Sequence, residues 1–173
     1  MPENQIGHID IVTPIGELRI IGTSQDLTRI CFENDKLRRD GVGELIQDLT
    51  GFPAIGGAAL FIKDYFNGKM KCWEIKSPLM GTEFRIKVWT KLSKVPFGTT
   101  ISYSELAALA DRPGAARAVG SAMAKNPIPI LVPCHRVLHA DGGLGGFGGG
   151  VNVKEWLLEF ERGIRMESTN DVN

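Results

Sequence analysis

The chain lacks most of what would staple it, anchor it or draw it to a partner at long range. Its 173 residues hold three cysteines, Cys31, Cys72 and Cys134, an odd and widely spaced set with no CxxC and no histidine at zinc-finger spacing. Free thiols in a reducing compartment are expected, and Cys31, Cys72 and His8 make no convincing zinc set. No apolar run approaches the roughly 20 residues that span a bilayer, and the opening MPENQIGHID is polar. The expectation is a soluble cytoplasmic protein with no membrane partner. Net charge is absent too: 20 Lys and Arg stand against 20 Asp and Glu, which argues against a generic polyanion binder. There is no GK[ST] phosphate loop. Gly143, Gly145 and Gly148 fall in GxGxxG order, but no βαβ unit surrounds them, so no cofactor and no metal is assigned.

What is present is unevenly placed. Residues 85–136 carry eight basic side chains against two acids, while residues 137–173 carry three against six. A locally basic face on a neutral protein follows, or simply a solvated helix surface. Residues 8–34 alternate apolar and polar positions with Gly16 and GTSQD as turns, which predicts a strand meander. VGELIQDL and GGAALFIKDYFNG have near-helical spacing, with Gly68 as a cap.

From Gly81 the pattern turns helical. Thr82 caps a segment whose Phe84, Val88, Trp89, Leu92 and Val95 form one stripe, and Ser102 with Glu105 has capping-box spacing. After DRPG a further helix begins, and the pair reads as a helix-turn-helix. Its second helix is nearly bare, with Ala115, Ala116, Ala118, Gly120, Ser121, Ala122 and Ala124 leaving Arg117 as the main projecting side chain. Such a surface permits close approach to a partner, or close packing inside the protein. A last amphipathic helix puts Val153, Trp156, Leu157 and Phe160 on its apolar stripe. Glu161 borders that stripe, either partly buried or paired with Arg165 at the surface.

The chemistry concentrates in NPIPILVPCHRVLHADGGLGGFGGG, residues 126–150, where three prolines lead to one Cys-His pair and seven glycines in nine residues follow. Pro133 holds Val132 out of helix and fixes the chain before Cys134. A nucleophilic cysteine acts as a thiolate, which requires a base or a positive field beside it. His135 and Arg136 are the local candidates, and because adjacent side chains point apart, a turn or a bridging water must connect Cys134 to His135. Glu161 completes a Cys-His-Glu relay if it holds the imidazole in one tautomer. Glycine-rich backbone beside a nucleophile reads as a pocket wall that a flat ligand can approach.

These residues carry a resemblance. From GTEFRIKVWTKLSKVPFG through PCHRVLHADGGLGGFGGGVNVKEWLLEFE, residues 81–161 resemble the O6-alkylguanine-DNA alkyltransferases, also called methylated-DNA-protein-cysteine methyltransferases. The first half is similar only loosely, through its strand-rich start and YFNGK. The resemblance implies an α+β chain. A ribonuclease-H-like lobe over 1–80 precedes a mainly helical, winged helix-turn-helix lobe over 81–165, and 166–173 is a flexible tail. It implies irreversible, single-turnover transfer of an alkyl group from O6-alkylguanine, and less surely O4-alkylthymine, to Cys134. His135 is then the water-relayed base and Glu161 the carboxylate that orients it, while Asn126 joins the bare helix to the active-site segment. Arg117 replaces the flipped base in the stack, and Tyr103 crowds the phosphate. Ala118, Gly120 and Ser121 face the minor groove of double-stranded DNA, and Tyr103, Val137, Phe147 and Gly148 line the pocket. Many relatives carry Tyr at the position of Phe147 and a larger residue at that of Gly148, which bears on pocket size and O6 hydrogen bonding. The partner implied is alkylated duplex DNA, met by a monomer, nucleoid-associated in a prokaryote or nuclear in a eukaryote. A relative that only binds DNA has Trp in place of the acceptor cysteine; a thiol hydrolase needs an oxyanion hole, and a regulatory fusion needs a further domain.

Overall fold

A computed structural model describes residues 5–35, 43–69, 73–75 and 78–170, with an α+β architecture. The chain separates into two compact units, residues 1–80 with 127–131 and residues 81–126 with 132–173.

In the first unit, β1 (Gly7–Thr13), β2 (Gly16–Gly22) and β3 (Leu27–Cys31) form the antiparallel meander that the alternation predicts. β4 (Glu44–Leu45) adds parallel to β1, giving the order β3-β2-β1-β4. The helix expected from VGELIQDL is absent: Glu44 and Leu45 pair with Gly7 and His8, and Ile46 N–H donates to His8 O (2.9 Å). Two strand bonds win over a short helix with little to cap it. α1 (Pro53–Phe66) follows, opened by proline and closed past Asn67 by Gly68 at φ 71°, the conformation that glycine adopts at least cost. It lays Ile55, Ala58, Phe61, Ile62 and Tyr65 against Leu18, Ile20 and Ile30 of the sheet, all buried. Each such aliphatic side chain contributes about 1.5–3 kcal/mol by leaving water.

Residues 127–131 belong to this unit rather than to one unbroken C-terminal block. Ile30 N–H donates to Pro127 O (2.8 Å), and Ile128, Ile130 and Leu131 are buried. Within the stretch IPILV, residues 128–132, Ile130 has a φ of 73°, a left-handed conformation that a β-branched residue enters only under local constraint.

The second unit begins with α2 (Glu83–Leu92), capped by Thr82, whose hydroxyl accepts from Arg85 N–H (3.4 Å). Val88, Trp89 and Leu92 are buried, and Trp89 Nε1 donates to Ala122 O (2.9 Å). β5 (Ile101–Ser102) pairs in parallel with β6 (Val137–Leu138). α3 (Tyr103–Leu109) starts at the predicted capping box, and α4 (Ala116–Ala124) follows the DRPG break. α5 (Val151–Asn170) runs through the boundary expected at 166.

Candidate active site

Cys134, His135 and Arg136 form one turn of 3-10 helix, with Arg136 N–H donating to Pro133 O (2.9 Å). A tight turn is one of the two solutions the sequence left open for placing a thiol beside its neighbouring histidine. The two ends of the chain's excursion into the first unit are tied here: Asn126 Nδ2 donates to Val132 O (2.8 Å), and its amide also hydrogen-bonds the Cys134 sulfur.

Behind the turn, Glu161 reaches in from α5 and is 1% exposed, which excludes a solvated surface pair. His135 is fully buried, and its Nε2 stands 2.7 Å from Glu161 Oε1. Arg136 grips the same carboxylate, donating through Nε to Oε2 (2.9 Å) and through Nη2 to Oε1 (2.8 Å), and through Nη1 to Val95 O (2.7 Å). Gly98 N–H donates to Oε2 as well (2.8 Å). Burial opposes charge on Glu161, yet the hydrogen bonds and charges of His135 and Arg136 outweigh it and hold its carboxyl at about 2. A carboxylate at neutral pH accepts only, so Nε2 carries the imidazole proton and Nδ1 is left with the lone pair. Burial, which outweighs the pull of Glu161, lowers the His135 pKa and keeps the ring neutral. His135 Nδ1 is buried with no partner among the described residues. The relay therefore ends in a basic nitrogen free to accept.

The thiol itself is pushed up to about 11 by burial, against the opposing effects of Asn126, the Lys154 ammonium and the backbone N–H groups of Cys134 and His135. At rest it is protonated, and its charge must be created during reaction.

Cys134 closes one end of a cavity of about 540 Å³. Of the residues expected in a pocket, Tyr103, Phe147 and Gly148 line it and Val137 does not; Arg117 and Gly120, expected to face DNA, line it as well, with Ala116, Met123, Ala124, His139 and Gly146. Phe147 packs edge-on to the His135 ring (6.4 Å between centroids, 84°). Ala118 and Ser121 are exposed on α4, and Val137 is fully buried. Cys72 lies outside the described residues, and among those described no group of three His, Cys, Asp or Glu side chains gathers to hold a metal. No described helix is long and apolar enough to cross a membrane.

Three participants escaped the sequence. Lys154 is fully buried on α5 and donates through Nζ to Val137 O (2.7 Å) and to Leu144 O, joining β6 to the glycine-rich wall. Its signal was there: it precedes Glu161 by seven residues and so shares its helix face. Gly145, at φ 67°, is the second, since a side-chain carbon there would stand 2.8 Å from Tyr103 Oη. His139 is the third.

A cysteine backed by a buried base and an ammonium, opening beside a bare helix, defines a protein whose thiol receives a group from a bulky ligand. The comparisons specify which kind. A family model described as the DNA-binding domain of 6-O-methylguanine DNA methyltransferase matches residues 83–163. A methylated-DNA–protein-cysteine methyltransferase of Mycobacterium tuberculosis is 48% identical over 153 residues, 88% of this chain and 90% of that protein. The Methanosarcina barkeri protein of the same name is 37% identical, over 89% of this chain and 96% of its own length. Among solved structures, Mycobacterium tuberculosis O6-methylguanine methyltransferase superposes with a TM-score of 0.80 at 38% identity, covering 92% of this chain and 94% of its own. OGT of the same organism in complex with DNA gives 0.79 at 39%, covering 91% and 94%. The chain belongs to the methylated-DNA–protein-cysteine methyltransferase family.

Proposed function

We propose that this protein repairs DNA directly, moving a methyl or larger alkyl group to Cys134 from O6 of guanine and, by the same chemistry, from O4 of thymine. The observation that carries this is the fully buried Glu161–His135 pair at 2.7 Å, which leaves a basic Nδ1 beside a cysteine at the end of a base-sized cavity. The sulfur attacks the alkyl carbon, an S–C bond forms as the O6–C bond breaks, and guanine departs. The thiol proton passes through a water to His135 Nδ1 and ends on the guanine. Lys154, Asn126 and two backbone N–H groups stabilise the charge that develops on sulfur. No other cysteine lies near Cys134 in the sequence to regenerate it, so the protein is consumed in a single turnover.

O6 is out of reach within a duplex, so the nucleotide leaves the stack at a cost of a few kcal/mol. Arg117 fills the vacated space, Tyr103 crowds the phosphate, and the bare face of α4, with Ala118, Gly120 and Ser121, lies in the minor groove. In this reading residues 1–80 are a ribonuclease-H-like lobe and residues 81–165 a winged helix-turn-helix lobe. Val137, Phe147 and Gly148 shape the pocket, and the protein acts as a monomer, cytoplasmic and nucleoid-associated or nuclear.

The test is intact-protein mass spectrometry after mixing with a duplex containing O6-methylguanine. One methyl per chain, mapped to the Cys134 peptide, is expected. Continued turnover, or an adduct on Cys31 or Cys72, would refute the reading.

A further inference from the structure

Cys134 lies deep in its cavity at 7% exposure, whereas His139 lines the same cavity from an exposed position. The backbone fixes where that imidazole goes: His139 N–H donates to Gly143 O (2.8 Å) and its carbonyl accepts from Gly142 N–H (3.0 Å), closing a turn. The ring leans on Tyr103 of α3, centroids 5.1 Å apart. A side-chain carbon on Gly145 would lie 2.8 Å from Tyr103 Oη and 3.0 Å from His139 Nε2, so the two polar atoms face one space that glycine leaves open. Arg117 borders the cavity from α4. Asp141 lies in the same turn: a carbon built on Gly143 would meet both Asp141 Oδ1 (3.1 Å) and His139 Cδ2 (3.5 Å).

A phenol, an imidazole and a guanidinium at the mouth of an otherwise apolar cavity suit an anionic oxygen. Depth decides which one. A purine whose O6 substituent touches the Cys134 sulfur fills the inner end, and its sugar and flanking phosphate remain at the mouth. We propose that His139 is a DNA-binding residue of this protein, hydrogen-bonding through Nε2, together with Tyr103, the phosphodiester beside the nucleotide whose base enters the cavity. The inference deepens the DNA-repair reading and rests on it. Imidazole as a class gains positive charge in the mildly acidic range, so a contact that strengthens there is expected; Asp141, in the same turn, and Arg117, on the cavity wall, are the charged side chains of that region. The buried Cys134 thiol stays neutral throughout that range.

The experiment measures affinity for an O6-methylguanine duplex against salt at pH 6 and pH 8, in a Cys134→Ser background that stops transfer. Each neutralised phosphate steepens the slope of log affinity against log salt by about 0.9. The parent should be steeper at pH 6 than at pH 8 by about that amount. His139→Gln should show the shallower slope at both values, and His139→Lys the steeper slope at both. A parent slope independent of pH, or a pH dependence that survives in His139→Gln, would overturn the proposal. In parallel, the unaltered chain is assayed for a methyl on Cys134. No adduct together with a His139-dependent slope would uphold the phosphate contact and overturn the repair reading alone.

Discussion

Cys31 and Cys134 are both buried, and burial pushes both thiols up to about 11. By resting acidity neither is a nucleophile. The groups waiting for charge are what differ. Beside Cys31 on β3 the next largest influence is Asp35, which opposes a thiolate, with Arg29 and Arg19 favouring one more weakly. Beside Cys134, Asn126, Lys154 and two backbone N–H groups all favour it. Cys134 also has a cavity in front and His135, the end of a proton relay, as its neighbour in the turn. A site that creates its anion only when the alkyl carbon arrives needs this preorganisation and not a low pKa, and a resting thiol is spared unwanted oxidation.

Cutting the relay gives the largest separation. Glu161→Gln should slow transfer to Cys134 by about 10²–10⁴-fold, the usual worth of a general base, with little change in DNA affinity. Single-turnover kinetics with a methylated duplex measures it, and an unchanged rate would put the difference from Cys31 elsewhere. The same substitution leaves Arg136 charged, buried and unpaired, which costs about 3–5 kcal/mol. The pH dependence has a definite sign. Glu161 is held at about 2, below its ordinary 4.5, so it stabilises the fold above about 4.5 and that contribution is lost as pH falls towards 2. His135 is also lowered, from 6.5, so its contribution is present above 6.5 and is lost as pH falls through its folded value. Both work against the native state in acid. Denaturant unfolding from pH 7 to pH 3 should show Glu161→Gln already weak at pH 7 and less sensitive than the parent at the acid end.

The charge waiting beside the sulfur is the next difference to remove. Lys154→Met keeps most of the buried volume but takes away the ammonium and its bonds to Val137 O and Leu144 O. Hydrogen bonds from charged groups contribute about 1.5–3 kcal/mol, so transfer should slow by roughly tenfold or more, even with free O6-methylguanine base as substrate. A methionine variant as fast as the parent would show that Lys154 serves the fold alone.

Lys154 also marks what the sequence could and could not reveal. The meander, the caps at Thr82 and Ser102, the bare helix and the Cys-His pair were legible, because alternation, capping chemistry and a rare tetrapeptide are local signals. The buried face of α5 was not. Hydrophobicity put Val153, Trp156, Leu157 and Phe160 on the core side, but of these only Leu157 is fully buried, beside Lys154 and Glu161. Trp156 and Phe160 stack on each other half-exposed (5.1 Å, 11°). The helix turns two charged side chains inward because Arg136, His135 and two carbonyls satisfy them, and a polarity pattern cannot register partners distant in sequence. Residues 44–45 failed for the same reason: a strand pairing with β1 overrode local helical spacing.

The smallest effect concerns what the reaction leaves behind. Cys134 is 7% exposed, with Asn126 on its sulfur, Phe147 in the cavity wall and the His135 turn beneath it. Added volume in a close-packed site forces neighbours off their preferred rotamers and typically costs ~1–3 kcal/mol. A methyl thioether is also a poorer acceptor than the thiolate that Asn126 and the backbone N–H groups are arranged to serve. Methylated protein freed of DNA should therefore melt below the unmodified chain. At about 2–4 °C per kcal/mol for a chain of this length, a penalty in the middle of the range lowers Tm by roughly 4–8 °C. Paired calorimetric scans of the two forms provide the check. Gly148 decides the alternative: with no side chain on that part of the cavity wall, the product methyl could turn outward, and equal melting temperatures would mean that the cavity accommodates it. In that case Cys134 would differ from Cys31 in its proton relay and stabilising charges, and not in how tightly its sulfur is packed.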